Sequence, residues 1–497
     1  MSITEAWFGG DALALAAAIV EGRVSAIEAM ERTLADVQRE NARLNALASL
    51  NAGLGLVRAA ELDAELAACA SDAARRALLA TRPFFGVPLL LKDIGAATAH
   101  VALPSRMGSR LFDGIDGEGH RWSCNGNLTE RYLGAGFVPF GRTTVPELGI
   151  SASTEARAYG GPTRNPYGAE HSAGGSSGGA AALLASAAVT IAHANDGAGS
   201  IRIPASCCGL IGLKASRGLM PMGPLAGEGW GGMATDHVLA RSLRDCATAL
   251  DISAGSDGGA PYAAPHGLGP PPRPFGRALQ QLPPRLRIAV CNRFYEGDAV
   301  HPQVAAAVDH VAARLARWGH EVDEAAPPFS TLEVLQPLIE VVIGGLGQVL
   351  DGAARQRGRP IGEADVEPTI FGAWRASRGQ SVTQYLDALA AVHALGRRMA
   401  AFHERWDLLL TPVLAEPPAR LGRFAMDNPD FIDYRLGPSG LWRYSPFTPL
   451  ANATGAPSLA LPAARSAEAL PIGVMLSGRL GDDALLLQVA AQLQRCT

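Results

Sequence analysis

Two lysines, Lys92 and Lys214, are exceptions in this chain: of its 43 Lys and Arg residues, all but these two are Arg. A guanidinium stays protonated in proteins, whereas a buried lysine can lose its proton and act as a base. Lys92 ends a short apolar run, Gly86-Val-Pro-Leu-Leu-Leu, that suits a buried strand. Lys92 is therefore the candidate general base, although a coding preference for Arg would also explain the composition.

Two segments rich in Gly and Ser supply candidate nucleophiles: Gly174-Gly-Ser-Ser-Gly-Gly179 and Asn195-Asp-Gly-Ala-Gly-Ser-Ile-Arg-Ile-Pro204. In the second segment, three residues with almost no side chain precede Ser200. Successive backbone N–H groups beside a serine hydroxyl suit acyl transfer, because the serine attacks a carbonyl and the amides receive the oxyanion. A flexible turn is the alternative interpretation of both segments.

Other catalytic arrangements fit the sequence less well. Gly174, Ser176 and Gly178 have the GxSxG spacing of α/β-hydrolases, but a loop rather than a strand precedes them. An SxxK pair would require a serine where Leu89 or Ile211 stands. The phosphate-binding patterns GxxxxGK[ST] and GxGxxG are not matched. The hydrolase elbow, which would recruit a later Asp and His, remains a rival to Lys92.

The elements that must position these residues alternate between short apolar strands and helices, which indicates an α/β architecture. Helices are predicted at 11–40 (two, split at Gly22 and Ser25), 58–78, 128–133, 180–186, 304–318 and most of 333–404. Strands are predicted at 86–92, 137–141, 189–192, 286–291, 408–412 and 471–476, and 157–179 is predicted to be a loop.

Composition excludes several classes of protein. A net charge of −4 with no long run of one sign lacks the basic footprint of a nucleic-acid-binding protein. The seven cysteines are scattered without a CxxC pair and no HExxH is present, which argues against a disulfide framework and a metal site. The first ten residues lack a basic segment, and the apolar stretch 180–194 is too short to span a bilayer. We therefore expect a cytoplasmic protein without metal, nucleic-acid or membrane partners.

The order of the motifs resembles the amidase signature family, hydrolases that use a Ser–cis-Ser–Lys triad. The matching segments run through most of the chain: Gly86-Val-Pro-Leu-Leu-Leu-Lys-Asp93, Gly141-Arg-Thr-Thr-Val-Pro-Glu147, Gly174-Gly-Ser-Ser-Gly-Gly-Ala-Ala181, Asp196-Gly-Ala-Gly-Ser-Ile-Arg-Ile-Pro-Ala205, Gly209-Leu-Ile-Gly-Leu-Lys214, Ala240-Arg-Ser-Leu-Arg-Asp245, Gly455-Ala-Pro-Ser-Leu-Ala-Leu-Pro462 and Leu470-Pro-Ile-Gly-Val-Met475. The segment 195–206 and Gly227-Glu-Gly-Trp-Gly-Gly232 are most similar to the branch with 6-aminohexanoate cyclic dimer hydrolases, near aryl-acylamidases.

The resemblance implies an α/β amidase signature fold, in which helices cover both faces of a large, twisted, mixed β-sheet. It implies Ser200 as nucleophile, Lys92 as base, and Ser176, joined to Gly175 by a cis peptide bond, as the bridge between them. The backbone N–H groups of the oxyanion hole would be those of Gly197, Ala198, Gly199 and Ser200. We expect one domain, 1–497, with a signature core over about 80–250, a Gly- and Pro-rich surface excursion over 254–284 and a mostly helical substrate-pocket region over about 333–404.

Two positions depart from the common family pattern. Ala198 replaces a glycine of the oxyanion loop. Alanine would be strained at this position if the backbone there had positive φ. Met475 stands where glutamine is frequent. Neither change removes a triad group.

Several residues near the motifs are interpreted as structural rather than catalytic. Asp196 and Arg202 are expected to have a structural role, such as pairing with each other, with substrate contact as the alternative. Lys214 is expected to satisfy backbone carbonyls. The adjacent cysteines and the nearby histidines are expected to be packing or core residues: Cys207, Cys208, His171 and His193.

The predicted activity is hydrolysis of a carboxamide through an acyl-enzyme, without a cofactor. The substrate would be a small to medium apolar, aryl, cyclic or oligomeric amide, or a carbamate. Candidate pocket aromatics are Trp230, Trp374, Trp442 and Tyr444, each of which is as compatible with ordinary core packing. The alternatives are an amidotransferase-type subunit that requires a partner, and a non-catalytic binding protein with the same fold. The sequence is also compatible with a homodimer.

Overall fold

The computed structural model describes residues 10–99, 103–113, 119–265 and 274–495. Three features of the sequence interpretation lie outside these ranges: the first nine residues, positions 266–273 of the surface excursion, and Cys496.

The strands of the described residues form one large mixed sheet and one small hairpin. They are β1 (Leu47–Leu50), β2 (Pro88–Lys92), β3 (Val138–Thr143), β4 (Arg164–Asn165), β5 (Gly168–Ser172), β6 (Ile191–Asp196), β7 (Ile211–Lys214), β8 (Thr235–Ala240), β9 (Arg287–Val290), β10 (Glu321–Glu324), β11 (Leu408–Pro412), β12 (Ser458–Arg465) and β13 (Pro471–Ser477). The large sheet has the order β1-β3-β2-β6-β8-β7-β12-β13-β11-β9-β10, and β4 pairs with β5. Strands from both ends of the sequence thus share one sheet.

The strand that carries Lys92 lies between two parallel neighbours. β2 pairs in parallel with β3 on one side and with β6 on the other, where Leu90 faces Ala192. All five residues of β2 are buried, as expected for a parallel strand covered on both faces. Because parallel strands present their carboxyl ends at the same edge of a sheet, the end of β2 at Lys92 lies beside the end of β6 at Asp196. The sheet therefore brings the lysine to the loop that leads to Ser200.

Helices pack against this sheet and confirm most of the predicted elements. They are α1 (Ala12–Val20), α2 (Ala26–Leu44), α3 (Ala52–Ala67), α4 (Asp72–Thr81), α5 (Asn127–Gly134), α6 (Gly178–Ala185), α7 (Arg202–Cys208), α8 (Leu243–Ser253), α9 (Pro274–Ala278), α10 (Pro302–Arg317), α11 (Thr331–Arg357), α12 (Pro368–Gly379), α13 (Val382–Arg405), α14 (Phe431–Leu436), α15 (Thr448–Thr454) and α16 (Asp483–Gln494). The predicted start at Ser25 is a capping box, in which the Ser25 and Glu28 side chains each accept from the other's backbone N–H.

Two predicted elements are wrong. The single helix predicted at 58–78 is two helices, α3 and α4, because Ser71 caps a new helix by accepting a hydrogen bond from the N–H of Ala74. The segment 157–179, predicted to be a loop, contains the hairpin β4–β5. Its strands of two and five residues are too short and too polar to produce an alternating apolar pattern.

The helix α11 has the length and apolar composition of a membrane-spanning helix, but its packing explains that composition. Half of its most apolar window is buried inside the protein. It packs against α12, α13 and α15, with Leu338 and Leu350 fully buried. A core helix of a folded protein passes the same test of length and composition as a spanning helix.

Candidate active site

Lys92 is fully buried, and its amino group meets three oxygen atoms. Lys92 Nζ lies 2.7 Å from Ser176 Oγ, 2.5 Å from Asn195 Oδ1 and 3.2 Å from the carbonyl oxygen of Asn195. Burial lowers the pKa of Lys92 to about 7, against the opposing effect of the negative charges of Asp236 and Asp196. A substantial fraction of this lysine is therefore neutral near neutral pH and able to accept a proton.

Ser176 is held by tight backbone packing in the Gly174-Gly-Ser-Ser-Gly-Gly179 segment. The peptide bond between Gly175 and Ser176 is cis. A Cβ at Gly175 would lie 2.5 Å from the carbonyl oxygen of Ser151, and one at Gly178 would lie 2.3 Å from Thr154 Oγ1. The glycines are thus required for close approach at the start of α6, and the interpretation of this segment as a flexible turn is wrong.

Ser200 lies in the loop between β6 and α7, and its carbonyl oxygen accepts a hydrogen bond of 3.3 Å from the N–H of Ser177. This bond joins the two serine segments directly. The conformation of the loop depends on Gly199, which has φ +130° and whose Cβ would meet Thr448 Oγ1 at 2.3 Å. Glycine is needed at this position for both its φ and its lack of a side chain.

A buried pair formed by Asp196 and Arg202 anchors the same loop, which confirms their predicted pairing. Arg202 donates to both carboxylate oxygens of Asp196 at 3.0 Å, and both side chains are fully buried. Asn452 donates to Asp196 as well, at 2.9 Å. Although burial acts to raise the pKa of Asp196, its contacts with Arg202 and Asn452 hold that pKa far below the usual range. The carboxylate is therefore ionised and organises the loop rather than moving protons.

The carboxylate of Asp196 also occupies one of the four amides predicted for the oxyanion hole. The N–H of Gly199 donates to Asp196 Oδ1 at 2.7 Å, so this amide is committed within the loop. The amides of Gly197, Ala198 and Ser200 are left as candidate donors to an oxyanion. Ala198 does not have positive φ, so its methyl group carries no backbone penalty.

A hydrogen-bonded His–Asp pair supports the backbone of Lys92. The N–H of Lys92 donates to His193 Nδ1 at 3.1 Å, which leaves His193 Nε2 as the protonated nitrogen that faces Asp236 Oδ1 at 3.0 Å. Burial lowers the pKa of His193, so the ring is neutral. His193 is thus a core residue, as predicted, but it lies directly against the candidate base.

A cleft opens at Ser200. Its lining is mainly apolar: Ile150, Ile203, Trp230, Leu335, Ile339, Val342, Leu441, Trp442 and Pro449, with Gly175, Ala198 and Ser200 at one side. Trp230 and Trp442 both line this cleft. The Trp230 ring lies against Gly197, where a Cβ would approach it to 2.4 Å, and against Gly345 of α11, where a Cβ would approach it to 2.9 Å.

Two other predicted pocket aromatics are wrong. Tyr444 is fully buried in the core, where its hydroxyl accepts from the N–H of Ala419 at 3.2 Å and contacts Cys207 Sγ at 3.6 Å. Trp374 donates from Nε1 to Asp351 Oδ1 and does not line the cleft. Aromatic residue type alone did not distinguish a cleft wall from the core, because both bury large apolar surface.

The remaining residues near the motifs have structural surroundings. Burial raises the pKa of the Cys207 and Cys208 thiols, so neither is a reactive thiolate, in line with the packing role expected of them. His171 faces Glu468 at 3.2 Å. Lys214 Nζ donates to the carbonyl oxygen of Ala215 at 2.7 Å, as expected for a lysine that satisfies backbone carbonyls.

Sequence reasoning missed three residues of this region. Asn195 provides two of the oxygens that meet Lys92 Nζ, and its place directly before the Asp196 motif was the only available signal. Asp236 and Arg435 lie far from Lys92 in sequence and belong to no segment that suggested chemistry.

The large mixed sheet covered by helices makes this an α/β protein. The chain belongs to the Amidase family, whose model matches residues 41–487, and it is therefore a hydrolase that acts on amide bonds.

Individual relatives resemble the whole chain. It is 34% identical to a 6-aminohexanoate-cyclic-dimer hydrolase of Pseudomonas sp. (strain NK87), over 99% of this chain and 96% of the relative. A solved structure of 6-aminohexanoate cyclic dimer hydrolase complexed with substrate matches with a TM-score of 0.84 and 30% identity, covering 98% and 96% of the two chains. A bacterial aryl acylamidase of the amidase signature family matches with a TM-score of 0.85 and 25% identity, at the same coverage.

Proposed function

We propose that this amidase cleaves the C–N bond of small to medium apolar amides through an acyl-enzyme on Ser200. The observation that carries the proposal is the 2.7 Å contact between the buried Lys92 Nζ and Ser176 Oγ, next to the cleft that Ser200 lines. A serine is a weak nucleophile until a base removes its proton. A neutral lysine acting through a second serine supplies that base.

The proton moves along a relay in this mechanism. Ser200 Oγ attacks the carbonyl carbon, its proton passes to Ser176 Oγ, and the Ser176 proton passes to Lys92 Nζ. The C–O bond forms and the carbonyl oxygen takes up the negative charge, which the amides of Gly197, Ala198 and Ser200 stabilise. The relay then runs backwards to protonate the leaving nitrogen as the C–N bond breaks. Water attacks the ester by the same route and frees Ser200.

The three oxygens around Lys92 Nζ suit the ammonium form as three acceptors, and they also suit the neutral amine that the relay requires. A neutral amine has two N–H donors and one lone pair. The two oxygens of Asn195 take both donors, so the lone pair is directed at the hydroxyl of Ser176. This geometry prepares Lys92 to accept the Ser176 proton.

The cleft supports an apolar acyl or amine group, because α11 contributes Leu335, Ile339 and Val342 to its wall. The similarity to 6-aminohexanoate-cyclic-dimer hydrolases and to an aryl acylamidase supports cyclic, oligomeric and aryl amides as substrates. Carbamates have the same carbonyl and remain a candidate class. A cytoplasmic location, a homodimer and the single-domain organisation stay predictions.

A fluorophosphonate probe and a substrate panel test the proposal. The purified chain should be labelled at Ser200 and should hydrolyse members of a panel of primary, aryl, cyclic and linear-oligomer amides and carbamates. Ser200→Ala should lose both the label and turnover. Steady hydrolysis by the chain alone would exclude an obligate amidotransferase partner. Labelling that is unchanged in Ser200→Ala would overturn the assignment of the nucleophile.

A matched comparison tests the base against the α/β-hydrolase rival. Lys92→Ala should be inactive, whereas His171→Ala should retain turnover. An active Lys92→Ala variant together with an inactive histidine variant would show that the triad is wrong.

A further inference from the structure

The cleft beside Ser200 contains a buried cation that the proposed mechanism does not use. Arg435, on α14, is 9% exposed and lines the cleft. Its Nη1 donates at 3.0 Å to the carbonyl oxygen of Ile150, and Ile150 also lines the cleft. The guanidinium therefore lies at the cleft and not in a separate part of the core.

Arg435 has no carboxylate partner within 4.0 Å among the residues that the structure describes. It is also the only charged residue among the described residues that line this cleft. Buried charges in proteins are normally paired, because an isolated ion loses its hydration without compensation. Arg202, at the base of the same site, follows that rule by pairing with Asp196. Arg435 departs from the rule.

Two other polar side chains of the cleft wall are occupied within the protein. The hydroxyl of Ser151 accepts from Tyr434 at 2.8 Å, and Ser445 Oγ lies 3.0 Å from Thr448 Oγ1. The bond to Ile150 uses one N–H of the Arg435 fork, and a guanidinium has five. Its fixed planar geometry matches a carboxylate, which can accept two parallel hydrogen bonds.

We propose that Arg435 binds a carboxylate on the substrate, so that the preferred amides are apolar chains with one carboxylate besides the scissile amide. This inference rests on the proposed function of the cleft, since it assigns a specificity residue to the same site. The apolar walls accept the chain, Ser200 attacks the amide, and Arg435 holds the anionic end. The carboxylate supplies the counter-charge that the protein itself does not place beside Arg435.

Matched substrates separate charge from shape. In the first set the far end of the acyl group varies: adipamate has a carboxylate, 6-oxoheptanamide a neutral ketone and heptanamide an alkyl end. In the second set the amine side varies: N-acetyl-5-aminopentanoate is paired with N-pentylacetamide. The wild-type enzyme should prefer the carboxylate in at least one set, by on the order of 10- to 100-fold in kcat/KM. Equal values within both sets would overturn the proposal.

Variants of Arg435 separate recognition from a structural role. Arg435→Gln can still donate to the Ile150 carbonyl but has no charge. It should lose the preference for the carboxylate while its kcat/KM on neutral amides stays within about threefold. Arg435→Lys should recover part of the preference. Arg420→Gln, which removes an exposed arginine, should keep the full preference. Equal losses on charged and neutral amides in Arg435→Gln would show that Arg435 only holds Ile150.

A binding measurement distinguishes failure of this inference from failure of the proposed function. Trp230 and Trp442 line the cleft, so their fluorescence reports occupancy in the inactive Ser200→Ala variant. Adipamate should bind more tightly than heptanamide to Ser200→Ala, and the difference should vanish in Ser200→Ala/Arg435→Gln. Turnover without a carboxylate preference would leave the proposed function standing and remove this inference. Carboxylate binding without turnover of any amide would overturn both the proposed amide hydrolysis and the assignment of the carboxylate to its substrate.

Discussion

The two lysines of this chain are buried in similar ways and yet have different surroundings. Lys92 ends β2 and Lys214 ends β7, and both lie in the interior. Burial lowers the pKa of both amino groups. Lys214 also belongs to the wall of a second cleft. Burial and the lowered pKa therefore do not distinguish the two lysines.

The partner atom distinguishes the two lysines. Lys92 Nζ faces the hydroxyl of Ser176, which has a proton to give. Lys214 Nζ donates to the carbonyl of Ala215, which has none. The neighbouring hydroxyl of Ser216 donates to Asp483 instead. A lowered lysine pKa thus permits general-base catalysis, and a hydroxyl within hydrogen-bond reach is what makes it productive.

The largest expected effect is on turnover, when each lysine is replaced by arginine. Lys92→Arg keeps a cation but replaces a group that can deprotonate by one that cannot, so kcat should fall by roughly 10³–10⁴-fold. Lys214→Arg should retain turnover within about threefold and lose about 1–3 kcal/mol of unfolding free energy, because the larger side chain overfills a packed site. Steady-state kinetics and denaturant unfolding measure the two effects. If Lys92→Arg is active, Lys92 is not the base, and a coding preference for Arg explains the composition by itself.

The next effect tests the hydroxyl that separates the two sites. Ser176→Ala removes the group that faces Lys92 Nζ, and kcat should fall by roughly 10²–10³-fold. Ser177→Ala is the matched control, because the Ser177 hydroxyl donates to the carbonyl of Asn195 at 3.3 Å and not to Lys92. Its kcat should stay within about tenfold of the wild type. Similar losses in the two variants would mean that packing of this segment, and not a relay, explains them.

A smaller effect concerns the pH at which Lys92 becomes available. Activity requires the neutral amine, so kcat/KM should rise with pH through about 7 and level off above it. The negative charge of Asp236 stabilises the ammonium form and raises the pKa of Lys92. Asp236→Asn should therefore move the rise to lower pH. The exposed Asp323 on β10 supplies a control, and Asp323→Asn should leave the pH profile unchanged. A shift to higher pH in Asp236→Asn would contradict the assigned base.

The smallest effect concerns stability, where the two lysines should behave alike. Because burial holds the pKa of each below its unfolded value of 10.5, the unfolded chain binds more protons above pH 7. The free energy of unfolding should therefore rise with pH, by up to about 1.4 kcal/mol per pH unit for each lysine. Thermal melts between pH 7 and 9 should show a flatter rise in Lys92→Met and in Lys214→Met. Lys214→Met should flatten it without moving the pH profile of activity, and any such movement would contradict the separation of the two sites.

The sequence predicted the elements that have strong local signals. The all-apolar run that ends at Lys92, the capped start at Ser25 and the helices of 333–404 are where they were expected. The break between α3 and α4 was missed because one serine cap is a weak signal within a charged, helix-forming stretch. Tyr444 was misplaced because an aromatic residue near a motif is equally suited to the core and to a cleft.

The sequence by itself determined which groups could do chemistry: two lysines that can deprotonate, each at the end of a short apolar run, and two serines in glycine-rich segments. Only the tertiary structure decided which atoms meet. The parallel pairing of β2 and β6 places Asn195 at Lys92 Nζ. The hydrogen bond from the N–H of Gly199 to Asp196 removes one amide from the candidate oxyanion hole. The cleft gains Arg435 from α14, more than 200 residues further along the chain. Spacing along a sequence records local conformation, whereas contacts between distant segments depend on strand order and packing, which no single segment contains.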